Sequence, residues 1–217
     1  MKSPELFWNV VASYNQETRW VQILLVATGI LLTLSLYRNP AAWKQRAMKL
    51  FLAGCYAWMA VAFFFTRDAS PVGRFFAGPL FTAVTISFLL DLAHPRYSFH
   101  LPAPGWHRAG TLLWLALVLL YPLVSYLLGH RYPAITTPMM PCPLTVFAIA
   151  LLSGSLPTAS PLSYALLTVW GIAALPKVFG LFNVYEDAIL FAAALYGIVV
   201  WIWLRSNRER VLHKPVP

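Results

Sequence analysis

The chain has 217 residues, 59% of them hydrophobic and 11% charged, where ordinary soluble domains run at roughly 45–50% and about 25%. Mean hydropathy is +0.66, and seven membrane helices of about 20 residues would use roughly 140 positions, leaving short loops and two short tails. That excludes a soluble enzyme, a nucleic-acid-binding domain and a disordered protein, and the net charge of +9 reads as the Lys and Arg excess of cytoplasmic loops.

The N-terminus lacks a basic region followed by an apolar run and a small-residue cleavage site, so no signal peptide is expected. Ser3-Pro4-Glu5 opens a helix with a capping hydroxyl, a proline in the first turn and an acid at the positive helix end. Leu6, Phe7, Val10, Val11 and Tyr14 then recur at helical spacing. Residues 1–20 are expected to form a short amphipathic helix in the membrane interface, the alternative being a poorly ordered tail.

Seven hydrophobic segments follow, at residues 21–37, 48–66, 75–93, 109–128, 142–156, 160–178 and 184–204. The expected fold is an all-α transmembrane bundle over residues 21–204, with a basic cytoplasmic tail at 205–217. The fifth segment reaches only about 22 Å at ~1.5 Å per residue, short of the ~30 Å hydrocarbon core. Six spans with a re-entrant hairpin from segments five and six therefore stand beside seven spans.

Orientation follows from the basic residues. With seven spans and an outer N-terminus, the inner segments hold Arg38, Lys44, Arg46, Lys49, Arg96, Arg108, Arg205, Arg208, Arg210 and Lys214. The outer segments hold Lys2, Arg19, Arg67, Arg74, Arg131 and Lys177. Ten against six, together the 16 of the sequence, favours a periplasmic N-terminus and a cytoplasmic C-terminus. Trp20, Trp43, Trp106, Trp201, Trp203, Tyr37 and Tyr97 lie near segment ends as belt anchors.

The richest stretch for chemistry joins segments four and five: Gly129-His130-Arg131-Tyr132-Pro133, then Pro138-Met139-Met140-Pro141-Cys142-Pro143. Its prolines each fix φ and restrain the preceding residue. A stiff loop presenting His, Met and Cys suits soft metal ligation by His130 and Cys142; a packed loop with prolines starting the next helix explains it equally. Glu186 and Asp187 open segment seven. Acids there suit the helix dipole, or they pair across the outer face with His130, Arg131 or Lys177 as ionisable groups at the membrane edge. The expected outer vestibule comprises His130, Arg131, Tyr132, Cys142, Glu186 and Asp187.

Asp91 and His94 are a secondary candidate, one helical turn apart near the inner end of segment three. The prolines at 95, 102 and 104 separate them from His100 and His107, so a solvated interfacial loop is the plainer reading. No glycine-rich phosphate loop, G-x-S-x-G or paired C-x-x-C is present, and two cysteines make no disulfide framework.

The stretch Gly129-His130-Arg131-Tyr132-Pro133 and Pro141-Cys142-Pro143-Leu144-Thr145-Val146-Phe147 resembles the G-H-x-Y-P and P-C-P-x-T-x-F pattern of a bacterial family of multi-pass membrane proteins of unknown function. Ser3-Pro4-Glu5-Leu6-Phe7-Trp8, Tyr14-Asn15-Gln16-Glu17-Thr18, Trp170-Gly171 and Glu186-Asp187 are similar to further parts of it, although Trp170-Gly171 departs in spacing. The resemblance implies a bacterial inner-membrane location and carries no activity.

Three functions follow as expectations. The first is a small transporter, channel or soft-metal-binding membrane protein with an outward-facing polar vestibule. The second is a membrane-embedded enzyme acting on lipid or a lipid-linked substrate, with Asp91 and His94 or His130 and Asp187 as the acid and base. The third is a non-catalytic sensor or assembly partner. The expected partners are the bilayer and a small ligand or metal ion, not nucleic acid, and the residues specify no cofactor.

Overall fold

The computed structural model of the chain describes residues 4–68, 70–94, 97–176, 178 and 184–212. Seven helices account for most of them. They are α1 (Pro4–Arg38), α2 (Ala42–Met59), α3 (Gly78–Ala93), α4 (Trp106–Leu127), α5 (Pro141–Gly154), α6 (Pro161–Ile172) and α7 (Asp187–Leu212). A wider π-helical turn, Ala60–Phe65, extends α2, and another, Gly73–Ala77, leads into α3. Among the described residues there is no strand, only an isolated bridge between Arg131 and Ala134.

Local sequence explains the ends. Prolines 141 and 161 start α5 and α6, where the missing N–H is no loss and φ is already helical. The Ser160 side chain accepts from the Ser163 N–H and caps α6. Gly129 follows α4 with φ +100°, a conformation that costs glycine nothing, and so turns the chain into the proline-rich loop.

Contacts between helix ends show that the helices alternate in direction. The upper end holds the loop at residues 128–140. There the Tyr14 hydroxyl of α1 donates to Met139 O at 3.1 Å, and Phe64 beyond α2 meets Phe81 early in α3. Ser125 near the end of α4 meets Glu186 before α7, and Trp170 late in α6 packs edge-on to Phe64 and Phe81. At the lower end Lys44 Nζ donates to Ser35 O, Lys49 Nζ to Asp91 O, and His107 Nε2 meets Ser153 O.

One expectation meets a different structure. The expected interfacial helix at residues 1–20 has no boundary of its own, because α1 runs unbroken through it into the first apolar segment. Its upper half is packed rather than laid on a surface: Val11, Tyr14, Asn15 and Thr18 are buried, and Arg67 after α2 pairs with Glu17. Ser3, the expected cap, lies outside the described residues. α5 runs from Met140 at the upper end to Ser153 at the lower end, and α6 returns to Trp170, an arrangement common to seven spans and to a hairpin of segments five and six.

Five helices are long and apolar enough to cross a membrane: Glu5–Arg38, Ala42–Phe65, Gly73–Ala93, Trp106–Leu127 and Asp187–Ser206. α5 and α6, with 14 and 12 residues, reach about 21 and 18 Å. α5 is the axis of the bundle. Every residue of it except Phe147 is buried, and it packs on α4, α6, α7 and α2. Large apolar side chains face outward, with Phe75 82% and Leu31 67% exposed, an exterior that suits lipid tails rather than water.

Candidate functional site

The upper end carries a buried polar pocket centred on Glu186, one residue before α7. Its side chain does not turn back to cap α7. Glu186 Oε1 accepts from the Ser125 hydroxyl of α4 at 2.6 Å and lies 3.6 Å from His130 Nε2. Ser125 Oγ in turn accepts from the Thr136 N–H at 3.2 Å, so the loop fixes the hydroxyl that fixes the carboxylate. Glu186 is 0% exposed, and its second oxygen, Oε2, has no hydrogen-bond partner.

Tyr121, Asp187 and Cys142 lie at the same end. Tyr121 of α4 is fully buried with its hydroxyl unpartnered, close enough to Asp187, Cys142 and Glu186 to interact with their charge. Cys142 sits in the first turn of α5 and Asp187 in the first turn of α7, both buried. Neither described cysteine forms a disulfide. An unsatisfied carboxylate oxygen away from water costs several kcal/mol.

The pocket is closed above. The His130 ring stacks on Trp8 of α1, centroids 3.7 Å apart and planes at 30°. The loop beneath is held by Asn15 of α1, whose Nδ2 donates to Pro133 O and Ile135 O at 2.7 Å each. Asn15 Oδ1 accepts from Gln22 Nε2, and the Thr137 hydroxyl, 2.6 Å from Gln22 Oε1 and 3.2 Å from Asn15 Oδ1, has one proton for these two acceptors. The open vestibule expected from the sequence is here a packed polar cluster, because α1 extends N-terminal to its apolar segment and Trp8 stacks on His130.

The expected vestibule residues divide. His130 and Glu186 meet directly. Arg131 turns outward, donating to Tyr126 O and His130 O and covering the Tyr126 ring at 3.9 Å. Tyr132 is exposed, its hydroxyl donating to Asn15 O at 3.4 Å. Among the described residues no group of three or more His, Cys, Asp or Glu could hold a metal ion, so the expected pair His130 and Cys142 has no third such ligand there. Lys177, the other expected partner of the acids, lies outside the described residues.

The lower end differs from the sequence reading more strongly. Asp91 is not on a solvated loop: it is 5% exposed, and its Oδ2 accepts from the Tyr97 and Ser163 hydroxyls, each at 3.2 Å. Ser163 Oγ also lies 2.6 Å from Ser87 Oγ. His94 is exposed and takes no part. The partner is Lys49 of α2, 2% exposed, whose Nζ donates to Asp91 O and Tyr97 O and sits 4.0 Å from the centre of the Tyr97 ring. Tyr97, expected as a belt anchor, is buried beneath it, and burial together with the Asp91 charge raises its phenol above the usual range.

Sequence reasoning missed Ser125, Lys49, Tyr97 and Ser163 as site residues. Lys49 carried a signal: it is a cation one residue inside an apolar segment, where charges face partners. Ser125 carried a weaker one, a lone hydroxyl in a Leu-rich run.

The model of a family of unknown function, DUF6064, matches residues 4–212, and the chain belongs to that family. No curated protein and no solved structure matches it.

Proposed function

We propose that this member of the family is a multi-pass protein of the bacterial inner membrane that binds a proton or small cation at Glu186, as the coupling site of a small transporter. The carrying observation is the fully buried carboxylate with one oxygen held by Ser125 and His130 and the other left open. An ionisable group at membrane depth is costly and is kept where it moves or binds charge. The Trp8 and His130 lid suits an occluded state of such a carrier. We read α5 and α6 as two short spans that bring the count to seven, a reading that the alternating helix directions support. The basic residues favour a periplasmic N-terminus and a cytoplasmic C-terminus, and fusions of a reporter after residues 44, 102 and 210 should all read cytoplasmic; a periplasmic reading for the last would remove one span.

The test is thermal stability of the purified full chain across pH and against sodium, potassium, magnesium, zinc and copper(I). A ligand at 100 times its Kd stabilises by about 2.7 kcal/mol, so the wild type should gain stability with a bound cation or proton, and Glu186→Gln should lose that dependence. A Glu186→Gln curve parallel to wild type under every condition overturns the reading. Zinc or copper(I) as the stabilising ion would favour the soft-metal form. Turnover of phospholipid by the purified chain reconstituted in proteoliposomes would favour the membrane-enzyme alternative.

A further inference from the structure

α1 packs on α2 and stands off α4. The space between α1 and α4 is a cleft of about 240 Å³, floored by Leu144 and Phe147 of α5 and lined by Val26 and Ile30 of α1 and Ala116 and Leu119 of α4. Above it lies a second cavity of about 450 Å³ that shares Val26, Ile30 and Pro138 with the first and is bordered by Asn15, Arg19, Gln22, Tyr132 and Thr137. The two form one groove, apolar along its walls, with Asn15, Arg19, Gln22 and Thr137 among the residues at its upper border.

Depth and charge say what fits. From Trp20 to Tyr37 α1 rises about 25 Å, close to the ~30 Å hydrocarbon core, which puts Arg19 at the headgroup level. From Arg19 to Ile30 it rises about 16 Å, half the core, the depth of one leaflet's acyl chain. The amides of Asn15 and Gln22 are engaged with the loop. Glu17 is engaged by Arg67. The charged group lining the mouth is therefore Arg19, a guanidinium lying over the Trp20 ring at 4.8 Å and matched to a phosphate.

We propose that this groove binds an anionic glycerophospholipid of the same leaflet, its phosphate at Arg19 and one acyl chain between α1 and α4 on α5. The site depends on membrane embedding and not on the Glu186 pocket.

Native mass spectrometry of the full chain in mild detergent, with an equal mixture of phosphatidylglycerol and phosphatidylcholine of matched chains, tests it. One bound lipid with about fivefold preference for phosphatidylglycerol is expected, the effect of one basic residue near an anionic surface. Arg19→Gln should bring the two lipids to parity. Arg131→Gln, an exposed cation at the same end but outside the groove, and Glu186→Gln should keep the preference. Ala116→Phe should fill the cleft and lower retention of both lipids. Parity in the wild type, an equal loss in Arg131→Gln, or a lipid-free complex of two chains, which would put a second copy in the groove, would each overturn the proposal; the Arg19→Gln arm decides even where Ala116→Phe fails to fold.

Discussion

Lys49→Met is expected to destabilise the protein by about 2–3 kcal/mol, because two buried carbonyl oxygens, Asp91 O and Tyr97 O, lose their charged donor. Lys49 and Asp91 are 2% and 5% exposed, and water cannot replace the ammonium when it goes. Asp91 keeps the Tyr97 and Ser163 hydroxyls, but its charge loses the nearby cation, while Asp91 O and Tyr97 O lose a donor. The segment 97–99 then hangs on Gln45, whose amide exchanges two hydrogen bonds with Phe99. Unfolding in detergent with increasing denaturant measures the loss. Lys49→Met/Asp91→Asn should recover part of it, because both charges are then gone. A single variant within 1 kcal/mol of wild type, on the scale of an exposed pair, would show that the cluster is incidental.

Asn15→Leu is expected to cost about 2–3 kcal/mol and to loosen the lid. The substitution removes the donors to Ile135 O and Pro133 O, and of these Pro133 O retains the Ile135 N–H. It also strips Thr137 and Gln22 of a shared acceptor. An unsatisfied buried carbonyl carries a penalty of roughly 1–3 kcal/mol, and a leucine has no polar atom to offer. Because the loop also positions Ser125 through Thr136, hydrogen exchange should rise across residues 131–138 and at the start of α7. Unchanged exchange over those residues would mean that the loop holds its shape without α1, and the link from Asn15 to Glu186 would fail.

The helical bundle was legible because hydropathy registers long apolar runs whatever surrounds them. The meeting of His130 and Glu186 was legible because both close or open segments at the same depth. The continuity of α1 was not. Ser13, Asn15, Gln16, Glu17, Thr18 and Arg19 lower the local hydropathy and read as a break, whereas in the structure Asn15 and Thr18 bond to the loop and the helix while Glu17 meets Arg67. Hydropathy measures affinity for lipid and cannot distinguish polarity facing water from polarity facing protein. The same blindness hid Lys49, counted among cytoplasmic charges, and made α5 look too weak to be a full member of the bundle. A helix enclosed by other helices need not satisfy lipid, and its shortness says nothing about its importance.

The enclosure of α5 also orders assembly. Its neighbours include α4, made before it, and α7, made after the other six helices. Until α7 arrives, Gly171 of α6 has no Ala194 to nest against, and the side of α5 that later meets Gly197 faces lipid. The core therefore cannot close during synthesis of the first six helices. Its final packing waits for the C-terminal segment, which makes α7 the keystone of biogenesis, and a chain stopped before it would present an unfinished interior to the membrane's quality control.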